Sequence, residues 1–330
     1  MPSKNHNICL LFCGGSSIIT DDGILTVQQE GDMKKWLAAM PELGLIANID
    51  PVFVYGGDAS EIEPGLWQRL AREIYKRIDQ YDGFVVTHGI DTIIYTAAMQ
   101  SFMLAQLPKP IIFTGSPLAQ DAESADHDLA GMMSSYKTLG VKANLINAAQ
   151  VATMNIAEVA IMFGNRLIKA VETVKSDSAS FNFFDASSEH GMLGKVDFGI
   201  KLFNQVRPRS RQTPRLTDAV DDQVCLFQLV PGVQASQLES LVEKKYHGIM
   251  IRSFNTNLFP QSFEKVLALA YQKGIPVVAH NPFALDLKKK KREYILVNHL
   301  TFETAFVKFM WVLGQTNDLG KIRLMMWEKY

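Results

Sequence analysis

Short apolar runs alternating with longer stretches of helical period constrain this chain more than any other feature. Ile8–Cys13, Val52–Tyr55, Phe84–Thr87, Ile111–Thr114 and Val159–Phe163 are apolar along nearly their whole length, and each is about as long as one strand. Strands apolar on both sides are buried on both faces, as in parallel sheets sandwiched by helices. Between them, Glu61–Gln80 places Ile62, Leu66, Leu70, Ile74 and Ile78 on one helical face. Asp91–Leu107 and Asp121–Leu139 are further predicted helices. The alternation predicts an α/β fold built on a parallel sheet.

The rhythm breaks at Asn204–Asp222, where NQVRPRSRQTPRLTDAVDD carries two prolines, several arginines and little apolar content. That composition suits an exposed connection. Beyond it the alternation resumes with predicted strands Val224–Val230, Gly248–Ile251 and Ile275–Ala279. The helices predicted there are Gln234–Lys245, Gln261–Lys273 with Gly274 as its stop, and Thr301–Leu313. The expected organisation is a larger α/β domain over 1–203 that carries the site motifs, a linker over 204–222, and a smaller α/β domain over 223–330.

Charge and cysteine usage exclude some function classes. A net charge of −1 argues against a surface devoted to nucleic acid or acidic membranes, so neither is an expected partner. The basic run Lys288–Arg292 is read as a solvated loop. Cys9, Cys13 and Cys225 cannot make a disulfide framework, and no Cys/His cluster has metal spacing; no metal or cofactor is expected. The polar start and the short Ile8–Cys13 run predict neither a signal core nor a membrane span, which points to the cytoplasm.

Four constellations can carry chemistry. Cys13-Gly14-Gly15-Ser16-Ser17 follows a predicted strand, and two glycines permit a sharp turn that projects hydroxyls into the crevice at a sheet's carboxyl edge. The plainer reading is a tight turn with capping serines. Thr87-His88-Gly89-Ile90-Asp91-Thr92 joins a strand to a helix, so Asp91 and Thr92 stand at a helix N-terminus, as a plain cap would. Thr114-Gly115-Ser116-Pro117 and Ser124-Ala125-Asp126 form a third turn, a loop with a helix start or a ligand loop. The fourth is Lys175 in TVKSD: a buried lysine with a lowered pKa can take a proton from a hydroxyl, although most lysines are solvated.

In this order and spacing, the four resemble the bacterial-type L-asparaginases, chiefly the cytoplasmic type I branch, and the related amidotransferase D subunits. GGS resembles the family's T-G-G-T, THGIDT its T-H-G-T-D-T, TGSP its T-G-S-Q, and VKSDSASFNFFDAS its lysine segment. Pro231-Gly232, HGIMIRSF, KGIPVVAHNPF and Thr301-Phe302-Glu303-Thr304-Ala305 continue the likeness from about Ile8 to the C-terminus. The resemblance implies the two-domain asparaginase fold and a homodimer or homotetramer in which a neighbouring subunit completes the pocket.

It also implies roles for particular residues. Ser16 takes the place of the attacking threonine, and Asp91 and Lys175 match two members of the family's Thr-Lys-Asp trio. Ile90 stands where that trio has its threonine, Ile24 where a loop tyrosine is expected, and Ala59 of Asp58-Ala59-Ser60 where a serine holds the substrate's α-carboxylate. Asn255-Thr256-Asn257 and Asn281-Pro282 depart from the family's G-V-G-N and T-Q. Gly15, Gly89 and Ser116 complete the expected substrate-binding set, with Asp58, Ala59, Ser60 and Ile90. The expected activity is hydrolysis of the side-chain amide of asparagine or a related small amide through an acyl-enzyme. The alternative is a catalytically degenerate relative that binds an amino acid or serves a partner.

Overall fold

Burial on both faces makes neighbours of the five apolar runs. In the computed structural model the described residues are 6–20, 23–115, 142–176, 183–244, 246–253, 259–284 and 292–328. They divide into two compact units, Met1–Leu216 and Thr217–Tyr330.

The first unit is built on an eight-stranded sheet. Its spatial order is Ile200–Leu202, Met192–Val196, Arg166–Lys169, Val159–Phe163, Ile111–Thr114, Gly83–His88, Asn7–Cys13 and Asn48–Tyr55. The last five of these are parallel, as the sequence predicts. The first three extend the sheet antiparallel, so the sheet is mixed. The switch is made by the two-residue turn Gly164-Asn165, with Gly164 at φ 59° and Phe163 paired to Arg166; glycine and asparagine are the residues that such turns favour.

Helix boundaries differ from expectation for local reasons. The predicted Glu61–Gln80 helix is Pro64–Arg77, because proline suits the first helical turn and holds the residue before it extended; Glu63 has φ −107° and ψ 162°. The predicted Asp91–Leu107 helix is Ile93–Met103, followed by the two-residue strand Leu104–Ala105. The predicted Asp121–Leu139 helix lies outside the described residues. Met33–Ala38 and residues 142–153 add helical cover, and Trp36, Leu145 and Ala149 enter the core with Leu10 and Phe12.

Two of the four arginines of 204–222 bond to carbonyls of the first unit. Arg207 donates from Nε and Nη2 to the Ala157 carbonyl at 2.9 and 2.6 Å. Arg209 donates to the carbonyls of Met154 and Ala152 at 2.7 Å each, and to that of Asp82. A helix leaves its last carbonyls without intrahelical donors, and the guanidinium fork supplies them at the end of helix 142–153. Arg215–Leu216 then pairs antiparallel with Leu104–Ala105.

The second unit has a four-stranded parallel sheet, Val224–Gln228, Gly248–Arg252, Val277–His280 and Ile295–Val297 in that order. Its helices are Ala235–Glu243, Glu264–Gln272, Phe302–Gln315 and Leu319–Trp327. Thr301 caps the third, accepting from the Thr304 amide at 3.2 Å. Lys308 is fully buried and donates to the carbonyls of Met326 and Glu328 at 3.1 and 2.6 Å. Burial lowers its pKa to about 8. Among the described residues, no helix is long and apolar enough to cross a membrane.

Candidate active site

Three neighbouring parallel strands, Asn7–Cys13, Gly83–His88 and Ile111–Thr114, end on the same edge of the large sheet. The register sets Cys13 beside His88 and Thr87 beside Thr114. Beyond these ends the chain turns at Gly14-Gly15, Gly89-Ile90 and Gly115, so the turns crowd together. Gly14 and Gly15 adopt φ 79° and 58°. A Cβ on Gly15 would lie 2.4 Å from the backbone of His88 and Gly89, and one on Gly115 would lie 2.4 Å from the His88 carbonyl oxygen. A side chain fits at neither position, and backbone meets backbone.

This cradle places Ser16. The residue is 2% exposed. Its Oγ lies 3.0 Å from the Gly14 carbonyl oxygen, to which it donates, and 2.6 Å from Thr87 Oγ1. With the Ser16 proton on Gly14, the 2.6 Å bond is donated by Thr87; the other acceptor within reach of Thr87, the Leu11 carbonyl, is 3.4 Å away. The Ser16 carbonyl accepts from Trp36 Nε1 at 2.8 Å. Beside these groups is a cavity of about 10 Å³, with Gly15, Ser16, Trp36, Thr87, Thr114 and Gly115 in its wall. That is room for about one water.

Other groups are excluded as nucleophile or base by burial and direction. Burial pushes the Cys13 thiol up to about 12, so it stays neutral three residues before Ser16. His88 is fully buried, which pulls its pKa down to about 4 and keeps it neutral. Its Nδ1 is 2.8 Å from the Gly89 carbonyl and must carry the proton, leaving Nε2 buried without a partner. Successive strand residues face opposite sides of a sheet, so His88 points away from the face that Thr87 shares with Ser16.

The expected substrate-binding positions assemble in part. Ala59 is 8% exposed and lies so close to Gly89 that a Cβ there would come within 2.3 Å of its own. Thr92 Oγ1 donates to the Ala59 carbonyl at 2.7 Å, which ties the Asp58-Ala59-Ser60 turn to the THGIDT turn. The Asp58 carboxylate accepts from the Ser60 amide and hydroxyl, both at 2.7 Å, and these bonds lower its pKa. Ile90 reaches toward Gly115, its Cγ2 lying 3.3 Å from where a Cβ would stand. Thus Gly15, Ser16, Ala59, Gly89 and Ile90 belong to one cluster of turns.

Asp91 is exposed in the turn before helix Ile93–Met103, and Lys175 is exposed at the end of strand Thr173–Lys175, with Nζ 5.9 Å from the Phe183 ring centroid. Among the described residues, neither is hydrogen-bonded to Ser16. Ser116 lies outside the described residues. Ile24 is on strand Gly23–Thr26 of a hairpin with Ser17–Thr20 and is 60% exposed. Thr87, Trp36 and Asn144 were given no role by the sequence. Asn144 bridges the site's third turn to a hairpin, donating to the Gly115 carbonyl at 3.3 Å and accepting from the Gly164 amide at 2.9 Å. The hydroxyl that ends the apolar run Phe84–Thr87 is a signal for Thr87, but Trp36 and Asn144 carry none.

Comparison with known proteins agrees with this architecture. Residues 7–208 match the family model described as Asparaginase, N-terminal, and residues 223–326 the one described as Glutaminase/Asparaginase C-terminal domain. The D subunit of glutamyl-tRNA(Gln) amidotransferase from Pyrococcus horikoshii is 30% identical over 315 residues, covering 88% of this chain and 68% of that protein. Its counterpart from Methanobrevibacter smithii is 30% identical over 350 residues, covering 98% and 76%. Among solved structures, L-asparaginase I from Vibrio cholerae superposes with a TM-score of 0.80 at 24% identity, covering 98% of each chain. The thermostable L-asparaginase from Thermococcus kodakarensis gives 0.79 at 22%, covering 98% and 97%. The matches along both units place this chain in the asparaginase family.

Proposed function

We propose that this chain is an amidohydrolase that uses Ser16 to cleave the side-chain amide of asparagine or a related small amide. The observation that carries the reading is a buried serine hydroxyl held by two hydrogen bonds at the carboxyl edge of three parallel strands. Ligands of open α/β sheets bind at that edge. In the proposed acylation, Ser16 Oγ bonds to the amide carbon and the C–N bond breaks. The serine proton leaves with the nitrogen as ammonia. Water then cleaves the ester, returning a proton to Ser16 and leaving a carboxylic acid. Asp91 and Lys175 are proposed to act with the bound substrate, as their positions in the family motifs suggest.

The expected substrate-binding positions depart from an asparagine site. Ile90 and Ala59 bring methyl groups where hydroxyls are expected, which disfavours a charged α-carboxylate and favours a less polar amide. A homodimer or homotetramer and a cytoplasmic location complete the proposal. The net charge of −1 supports a small-molecule ligand over nucleic acid or membrane as partner.

A second reading, a degenerate relative that binds an amino acid or serves a partner, is favoured by the 2% exposure of Ser16 and the 10 Å³ beside it. The curated relatives' naming as one subunit of an amidotransferase points the same way. Ammonia release from asparagine, glutamine and short uncharged amides separates the two. Turnover that disappears in Ser16→Ala supports the first. Ligand-dependent thermal stabilisation with no ammonia from any amide supports the second.

A further inference from the structure

We infer that Thr87 is a positioning residue for Ser16, fixing the rotamer of its hydroxyl and donating to its oxygen as the proton leaves. The inference rests on the reading of Ser16 as nucleophile and adds a residue to that site. Serine lacks the γ-methyl that restricts χ1 in threonine, so an unassisted Ser16 hydroxyl would sample three staggered wells. Here two partners restrict it, the Gly14 carbonyl at 3.0 Å and Thr87 Oγ1 at 2.6 Å. Both Ser16 and Thr87 are buried, so bulk solvent does not reach these bonds.

The two partners differ in what they do next. Gly14 offers only a carbonyl, which holds the serine proton and is repelled by the oxygen once that proton is gone. The Thr87 hydroxyl still has a proton to give. As the Ser16 oxygen gains negative charge, that bond becomes charge-assisted and strengthens. Bond formation to the carbonyl carbon therefore proceeds from an oxygen already aimed and already accepting a donor, which is how preorganised donors lower a barrier. The Thr87 proton stays on Thr87 throughout. The serine proton departs with the leaving nitrogen, and no group is oxidised or reduced.

The experiment compares wild type, Thr87→Val and Thr87→Ser in two assays. One follows modification of Ser16 by a small alkyl fluorophosphonate, read by intact and peptide mass. The other follows ammonia release with kcat and KM separated. Valine keeps the shape of threonine and removes its donor, while serine keeps the donor. Thr87→Val should label on the order of tenfold to a hundredfold more slowly, the range set by a hydrogen bond to a charged oxygen. Thr87→Ser should return to within about threefold of wild type, a rescue that a purely structural role does not require. In turnover, kcat should fall in Thr87→Val with KM unchanged. If Thr87→Val does not yield folded protein, Thr87→Ala is read on the same scale. Labelling of Thr87→Val at the wild-type rate, equal slowing in both variants, or a wild-type Ser16 that resists the reagent would each overturn the inference. Normal labelling of wild type without ammonia release refutes the amidohydrolase reading and leaves the Thr87 comparison to be decided by labelling alone.

Discussion

Lowering the pH should destabilise the first unit through His88. The imidazole is fully buried, with Nδ1 committed to the Gly89 carbonyl and Nε2 facing no acceptor. Protonation would place a second N–H, and a charge, where no acceptor among the described residues meets it. Burial accordingly takes its pKa from an ordinary 6.5 to about 4. In the unfolded chain the ring binds its proton at about 6.5, so between these values the unfolded state holds more protons than the folded one. Stability is complete above 6.5 and is lost as pH falls toward 4. At about 1.4 kcal/mol per tenfold change in proton affinity, the full loss is about 3 kcal/mol, a sizeable fraction of a typical domain's stability. Urea unfolding read by hydrogen exchange of peptides covering Gly83–His88 reports on the first unit separately from the second. The comparison is wild type against His88→Gln, so contributions from carboxylates cancel. Wild type should lose about 3 kcal/mol more than the variant between pH 6.5 and 4. Parallel pH profiles would refute the assignment of a neutral, buried, singly bonded His88.

Two further outcomes test the packing. Gly15→Ala should lower stability by about 3 kcal/mol or prevent folding, since its Cβ meets backbone at 2.4 Å, whereas Gly274→Ala, at φ +74° in open space, should cost about 1 kcal/mol; thermal unfolding distinguishes them. In the second unit, the Lys308 pKa of about 8 lies below its ordinary 10.5, so the unfolded state holds the extra proton between those values and stability rises with pH across that window. Urea titrations at about pH 8 and about pH 10 should show wild type gaining on Lys308→Met by about 2 kcal/mol, and a constant difference would count against a buried ammonium.

Much of the fold was legible because continuous apolar runs have few alternatives to a buried parallel strand. The five runs of the first unit all became parallel neighbours. The second of these five runs begins at Val52, after Pro51, yet the strand itself is Asn48–Tyr55. It lies at the sheet's edge, where a proline's missing N–H breaks no ladder bond. Gly164-Asn165 was a readable hairpin signal, but the strands it introduces are short and less uniformly apolar, and they escaped the apolar-run criterion. At the site, the glycine turns were legible from composition. The hydrogen bonds from Trp36 to the Ser16 carbonyl and between Thr87 and Ser16 span 20 and 71 residues. No local pattern encodes such pairs; they exist only once the strands are in register.

The close approach of the main chain at Gly15 and Gly115 to the His88–Gly89 backbone has a consequence for how such a protein can diverge. The coordinates of the Ser16 α-carbon are set by main chain that every sequence retaining these glycines shares. Ile24, 60% exposed on its hairpin, lies outside that constraint, whereas Ala59 packs on Gly89 and Ile90 on Gly115, so exchanges at 24 leave the Ser16 position untouched and exchanges at 59 and 90 are limited to side chains that the turns admit. The position of Ser16 and its surroundings are thus inherited only partly together, and a laboratory library that varies 24 freely and 59 and 90 among small or apolar residues, with the three glycines held fixed, would change those surroundings while keeping the platform.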